Sequence, residues 1–284
     1  MVINVLCESS LIELNNPFSN MTLDEAFNTF TENVNIALNE YKFTDDMNND
    51  YGFYYRSDGA PTKDKIKAII RVITEQISKL WDKFIEFIQN FTSNVMKKFL
   101  SIGIDKKKSW NLINNMKEDF TVTIKGTVVT DDRYNRMIKE DFYATWYKDF
   151  VEGGKEEIEK SFANYRRVDY EYKITKQIGI NAWNIIFNSK SNFVSEAIKS
   201  KKSYTKGVST LADKNSDDEY IVEKTNKKQM QGLSKICKEE ISVYRDYLKT
   251  CAKVLKAIIN HGGDSKFNEP EEVDDEIHVE EIDF

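Results

Sequence analysis

Proline is almost missing from this 284-residue chain. There are three, Pro17, Pro61 and Pro270, and none lies between the last two. So long a stretch without the residue that breaks helices permits long uninterrupted ones. Histidine is scarcer, with only His261 and His278. One falls at a helix end and the other in an acidic tail, so a histidine general base is not expected. Three cysteines, Cys7, Cys237 and Cys251, make no disulfide framework. Cys237 and Cys251 share one predicted helix, about 21 Å apart along its axis, out of disulfide reach. Reduced thiols in a cytoplasm are expected.

Long apolar runs are absent too. The longest uncharged stretch, Gln177–Ser189, has 13 residues and is partly polar. A membrane-spanning helix needs about 20 apolar residues. Met1–Cys7 has neither a basic segment nor a cleavage-like site, so no secretory signal is expected. The chain has no GxGxxG, no phosphate-binding P-loop, no HExxH and no GxSxG. It has no CxxC or Cys/His spacing for zinc. Two loops graze a calcium pattern, Asp46-Asn48-Asp50 and Asp213-Asn215-Asp217. Tyr51 and Asp218 replace the turn glycine, and Ser57 and Lys224 replace the bidentate Glu. Both are expected to be polar loops. Asp131-Asp132 follows a strand and precedes a helix, which suits an N-cap better than a metal pair. No cofactor is expected.

What the chain does have is a long amphipathic stripe. Ile66, Ile70, Ile73, Ile77, Leu80, Phe84, Ile88, Phe91, Val95, Phe99 and Ile102 are spaced by threes and fours. Such a helix is about 55 Å long, which implies a bundle, an oligomer or a surface to lie on. Thr62 is placed to cap it and Gly103 to end it. A second stripe, Cys237, Ile241, Tyr244, Leu248, Cys251, Leu255 and Ile258, alternates steps of four and three on a helix from about Glu219 to Asn260. That heptad rhythm predicts a narrow two-helix seam with one face left for a neighbour. Phe84, Phe91, Tyr244, Leu248 and Leu255 are the residues expected to carry interactions.

Thr22 and Glu25 make a capping box for a helix to about Tyr41. A short helix is predicted over Ser109–Glu118, with its start left open because Lys106, Lys107 and Lys108 lie poorly at an N-terminus, against the dipole. Phe120, Val122 and Ile124 alternate with polar residues, as do Val168, Tyr170, Tyr172 and Ile174, which is strand spacing. Gly126 breaks or bulges the first strand. Helices are predicted at 133–151, 155–164 and 177–200, with a polar loop over 201–218. The expected fold is mainly α, a long-helix bundle with a small two- or three-stranded sheet near 119–130 and 168–175. It divides into an N-terminal helix and loop (1–62), a helical body (63–263) and an acidic disordered tail (264–284).

Charge is uneven. The net charge is −6, yet residues 269–284 hold nine carboxylates and no Lys or Arg, leaving 41 basic side chains against 38 acidic ones elsewhere. Such a tail is a solvated end or a mask for a basic surface. Lys199, Lys201, Lys202 and Lys206 near Tyr204, and Lys224, Lys227 and Lys228, allow weak nonspecific contact with nucleic acid. Trp81, Phe84, Phe87, Phe91 and Phe99 with Lys79, Lys83, Lys97 and Lys98 resemble an interfacial helix, which allows contact with a membrane without spanning it.

The opening Glu8-Ser-Ser-Leu-Ile-Glu13, the aromatic helix Lys65–Leu100 and the closing helix Tyr244–His261 carry one resemblance. In style and order they resemble the small helical virion proteins of large tailed bacteriophages that infect low-GC hosts. The resemblance implies a non-enzymatic structural role in the particle, inside the capsid or delivered with the DNA. It implies synthesis in the host cytoplasm and partners among copies of itself or other virion proteins. Two alternatives stand beside it: a membrane-active or ejected effector using helix 66–102, and a small enzyme on segment 119–176.

Overall fold

The computed structural model describes residues 18, 20–39, 62–139, 160, 162–188, 192–210 and 219–262. Among them are seven helices and one two-stranded antiparallel sheet, the mainly α architecture expected. Helix α1 spans Leu23–Asn39. It opens with the expected capping box: the Thr22 N–H donates to Glu25 Oε2 at 2.7 Å, and the Glu25 N–H to Thr22 Oγ1 at 3.2 Å. Helix α2 spans Thr62–Ser101, 40 residues. Gly103, at φ 77°, ends it as expected. The Gly103 N–H donates to the Leu100 carbonyl at 2.9 Å and the Ile104 N–H to the Phe99 carbonyl at 2.9 Å, the bond pair of a Schellman turn. The side chain of Thr62 lies outside the described residues.

Helix α3 spans Lys106–Asn114, not Ser109–Glu118. Its three leading lysines are tolerated because Asp105 supplies the cap, accepting the Lys108 N–H at 2.7 Å. The ammonium groups meanwhile reach the C-terminal ends of other helices. Lys106 Nζ donates to the Phe187 carbonyl at 2.9 Å and Lys108 Nζ to the Gly103 carbonyl at 2.8 Å. Lys176 does the same for the end of α3, 2.6 Å from the Asn114 carbonyl. Helix ends carry partial negative charge there, so each lysine completes a terminus.

Strands β1 (Phe120–Val128) and β2 (Arg167–Ile174) pair antiparallel and hold every expected sheet residue, Val122, Ile124, Tyr170, Tyr172 and Ile174. The register slips between Ile124 and Thr127, so Lys125 and Gly126 oppose the single Asp169. Gly126 takes φ 76°, and its N–H donates to Asp169 Oδ1 at 2.7 Å. This is a bulge, and it increases the local twist. Helix α4, Asp131–Lys139, leaves the sheet after β1. The rest of the helices expected at 133–151 and 155–164 falls mostly on residues outside the described set.

The expectation of one helix over 177–200 followed by a loop is corrected. Helix α5 covers Lys176–Phe187 and helix α6 covers Asn192–Thr210. Asn188 leaves the helical region, with its N–H still closing on the Asn184 carbonyl. Polar residues 201–210 stay helical because Tyr204, 1% exposed, is anchored in the core.

Helix α7, Glu219–Gly262, is the 44-residue axis of the fold. It packs against all six other helices and β1. The narrow seam is therefore also corrected. Leu233, Ile236, Val243, Tyr247 and Val254, off the heptad stripe, are as buried as the residues on it. Helix α1 joins the same core through Phe27, Phe30 and Val34.

One close approach sets the spacing of α3, α5 and α7. A Cβ on Gly179 would stand 2.8 Å from Ile258 Cδ1 and 3.2 Å from Ile113 Cγ2. Alanine is the better helix former by about 1 kcal/mol, yet overpacking a filled core costs about 1–3 kcal/mol. Gly179→Ala is expected to lower stability by up to about 2 kcal/mol in urea melts. A stabilised variant would show that the three helices can move apart freely.

Candidate functional site

Two side-chain hydrogen-bond nodes tie the elements together, one half-buried and one buried. The first is Asp131, the first residue of α4. Its Oδ1 accepts the hydroxyls of Tyr172 and Tyr247, each at 3.2 Å, and its Oδ2 accepts Asn181 Nδ2 at 2.7 Å. Its own N–H donates to the Tyr172 hydroxyl at 3.3 Å. Four elements, α4, β2, α5 and α7, thus meet on one carboxylate. Burial pushes the Asp131 carboxyl above its ordinary 3.8, against the three hydrogen bonds that favour the anion. Burial also pushes the phenols of Tyr172 and Tyr247 well up, so both keep their protons as donors. Beside the node, Thr250 Oγ1 accepts the Val129 N–H at 3.2 Å and donates to the Asp246 carbonyl at 2.9 Å.

The expected N-cap role of Asp131 is replaced by this long-range one. Asp131→Asn keeps the size, removes the charge and sets an amide against three donors. Leaving buried donors unpaired costs about 1–3 kcal/mol. The pH dependence has a definite sign. The folded-state pKa is raised, so the unfolded chain gives up this proton first. Asp131 therefore lowers stability as pH rises from 3.8 through its folded value. The penalty of Asp131→Asn relative to the natural chain should shrink across that window. Urea melts at a series of pH values check it, and a penalty that grows with pH would mean that the hydrogen bonds outweigh desolvation.

The second node is Glu240, 4% exposed on α7. Its Oε1 accepts Ser200 Oγ at 2.7 Å and its Oε2 accepts the Tyr204 hydroxyl at 2.6 Å. Both donors come from α6. Burial, then the Glu240 charge, pushes the Tyr204 phenol up. Tyr204 also stacks on Trp81 of α2, with ring centres 6.1 Å apart. Cys237 and Cys251 are both buried free thiols with pKa values raised by burial. They are shielded and poorly ionised, which makes weak nucleophiles. Ion pairs tie the outer layer: Arg166 to Asp246 at 2.8 Å, Arg245 to Asp24 at 2.6 Å and Lys201 to Asp82 at 2.6 Å.

A cleft of about 620 Å³ opens where α7 ends. It lies between α3, the start of β1 and the last turn of α7. Asp131 and Glu240 do not line it. Among the described residues no group of three or more His, Cys, Asp or Glu could hold a metal. Both calcium-like loops and the acidic tail fall outside them.

The five residues expected to carry interactions are all in the core. Phe84 is 0% exposed, Phe91 3%, Tyr244 2%, Leu248 0% and Leu255 1%. Phe84 and Tyr244 meet edge to face, with ring centres 5.9 Å apart. The seam they form is internal. Tyr204, placed beside the lysine cluster as a possible nucleic-acid contact, is also interior, and Lys199 and Lys201 are paired with Glu196 and Asp82. The side chains of Lys224, Lys227 and Lys228 lie outside the described residues. The Asp131 node was not found from sequence, since its partners stand 41, 50 and 116 positions away. One trace of it was legible: Asn181, a polar residue inside the uncharged run Gln177–Ser189.

Comparisons with protein-family models, curated proteins and solved structures find no match to this chain. The fold itself defines the class: a mainly α protein built around two long helices, with a small antiparallel sheet.

Proposed function

We propose that this chain is a non-enzymatic structural protein of a phage particle, acting by packing against copies of itself or other virion proteins. The observation that carries the reading is mechanical. Helices of 40 and 44 residues share one continuous aromatic core, and the shorter elements wrap them. Such a body is a stiff support for contacts made on its outside. The virion itself is an inference from the resemblance of the opening segment and the two long helices. With Leu248 and Leu255 interior, neighbours would meet the exposed apolar residues instead. Among the described residues these are Leu100 and Ile102 at the end of α2, Val168 and Tyr170 on β2 and Ile198 on α6, which are 56%, 57%, 73%, 37% and 39% exposed.

The membrane reading asks more of the molecule. No helix among the described residues is long and apolar enough to cross a bilayer. The apolar stripe of α2 faces the core, with Ile73, Ile77, Leu80 and Phe84 at 0% exposure. Binding lipid through it would require opening the bundle. Mass spectrometry of particles purified through a gradient and washed in salt tests the proposal. The chain is expected at a fixed ratio to the major capsid protein. Its recovery only from the host lysate would overturn the virion role.

A further inference from the structure

The cleft at the end of α7 has an apolar floor and a cationic rim. Leu112, Met116, Phe120 and Ile258 form the floor, and Lys108 and Lys117 stand on the rim, with Glu118 opposing them. His261 stacks on Phe120, ring centres 4.0 Å apart and planes 11° from parallel, which steadies one wall. Lys106 and Lys107 are exposed on the same first turn of α3. A volume of about 620 Å³ suits an amphipathic guest of drug size or a short peptide stretch.

The chain itself supplies such a guest. Gly262 lines the cleft, and a Cβ on it would lie 3.3 Å from Leu112 Cδ2, so the backbone runs directly along the wall. From there the sequence continues into 263–284, which lies outside the described residues. Residues 269–283 bear nine carboxylates, interleaved with Val273, Ile277, Val279 and Ile282. Their sign is opposite to the rim and their apolar side chains match the floor. Reach is no obstacle, because an extended chain covers about 3.3–3.6 Å per residue and the tether starts at the cleft. Tethering raises the effective concentration to about the millimolar range, so weak contacts suffice.

We propose that the acidic segment 269–283 docks in cis into this cleft. Its carboxylates meet Lys108 and Lys117, and its aliphatic side chains lie on the Leu112–Met116–Phe120 floor. The cleft is then a self-occupied site. This inference is independent of the virion reading.

Zero-length carbodiimide cross-linking of the full chain tests it, in an equal mixture of unlabelled and ¹⁵N-labelled protein. Links from the carboxylates of 271–283 are expected at Lys106, Lys107, Lys108 and Lys117. They should be at least tenfold more abundant than at Lys97, which is exposed near the end of α2. They should join peptides of the same isotope and fall at least fivefold in 1 M salt, where charges are screened within about 3 Å. An even spread over exposed lysines overturns the proposal. Mixed-isotope links at the cleft lysines also overturn it and assign the cleft to a second copy. Hydrogen exchange gives a second readout on the full-length chain. Exchange over 108–118 should rise at least threefold when Glu271→Gln, Glu272→Gln, Asp274→Asn, Asp275→Asn and Glu276→Gln are combined. Unchanged exchange overturns the docking.

Discussion

Leu248→Asp should unfold the chain rather than release a neighbour. Leu248 is 0% exposed on the helix that touches every other described helix. An aspartate there must either stay charged without a partner or take up a proton, and both options cost several kcal/mol, about 4 or more. Typical domains have about 5–15 kcal/mol in total. Leu255→Asp, at 1% exposure, should behave the same way. Circular dichroism and analytical ultracentrifugation of each variant check this. The expected result is loss of helical signal at room temperature or a melting temperature lowered by tens of degrees. A folded variant that only loses self-association would return the seam to the surface and contradict the interior position of Leu248.

Phe84→Ala is the second large effect, expected to cost about 3–5 kcal/mol. Phe84 is fully buried at the crossing of α2 and α7. Its ring meets Trp81 edge-on at 5.9 Å, Tyr244 edge-on at 5.9 Å and Phe87 stacked at 6.2 Å. Removing it leaves three aromatic rings facing a void, and large rings cannot collapse into it without leaving their rotamers. The cost should therefore sit toward the upper end of that range. A loss below about 1 kcal/mol in urea melts would mean that α2 does not bury this stripe in solution. That outcome would restore the lipid-facing reading of the helix.

These two predictions bear on function in different ways. The first decides whether the heptad stripe is a contact between subunits. The second decides whether the aromatic helix is a core element or an amphipathic surface. If both hold, the proposed assembly contacts fall on the exterior, where Leu100, Ile102, Val168, Tyr170 and Ile198 are exposed among the described residues.

Much of the local structure was legible in the amino-acid order. The capping box at Thr22 and Glu25, the stop at Gly103, the two alternating strands and the bulge at Gly126 all appear where their residues predict. Each depends on groups within a few positions of one another. The short range of helix capping and strand pleating is what makes them readable. The long stripe of α2 was legible for the same reason, since a 3.6-residue period marks the apolar face whatever lies against it.

What covers that face is a different matter. The sequence by itself determined that α2 and α7 are long, amphipathic helices and that a small sheet interrupts them. Only the tertiary structure decided that α7 is the axis, buried around most of its circumference, and that Leu248 and Leu255 have no outside. It alone paired Asp131 with Tyr172, Asn181 and Tyr247, and drew Tyr204 inward onto Glu240. The physical reason is that hydrophobic burial has no direction along the chain. A stripe states that a surface leaves water, and the identity of its partner depends on how every other element competes for the same core.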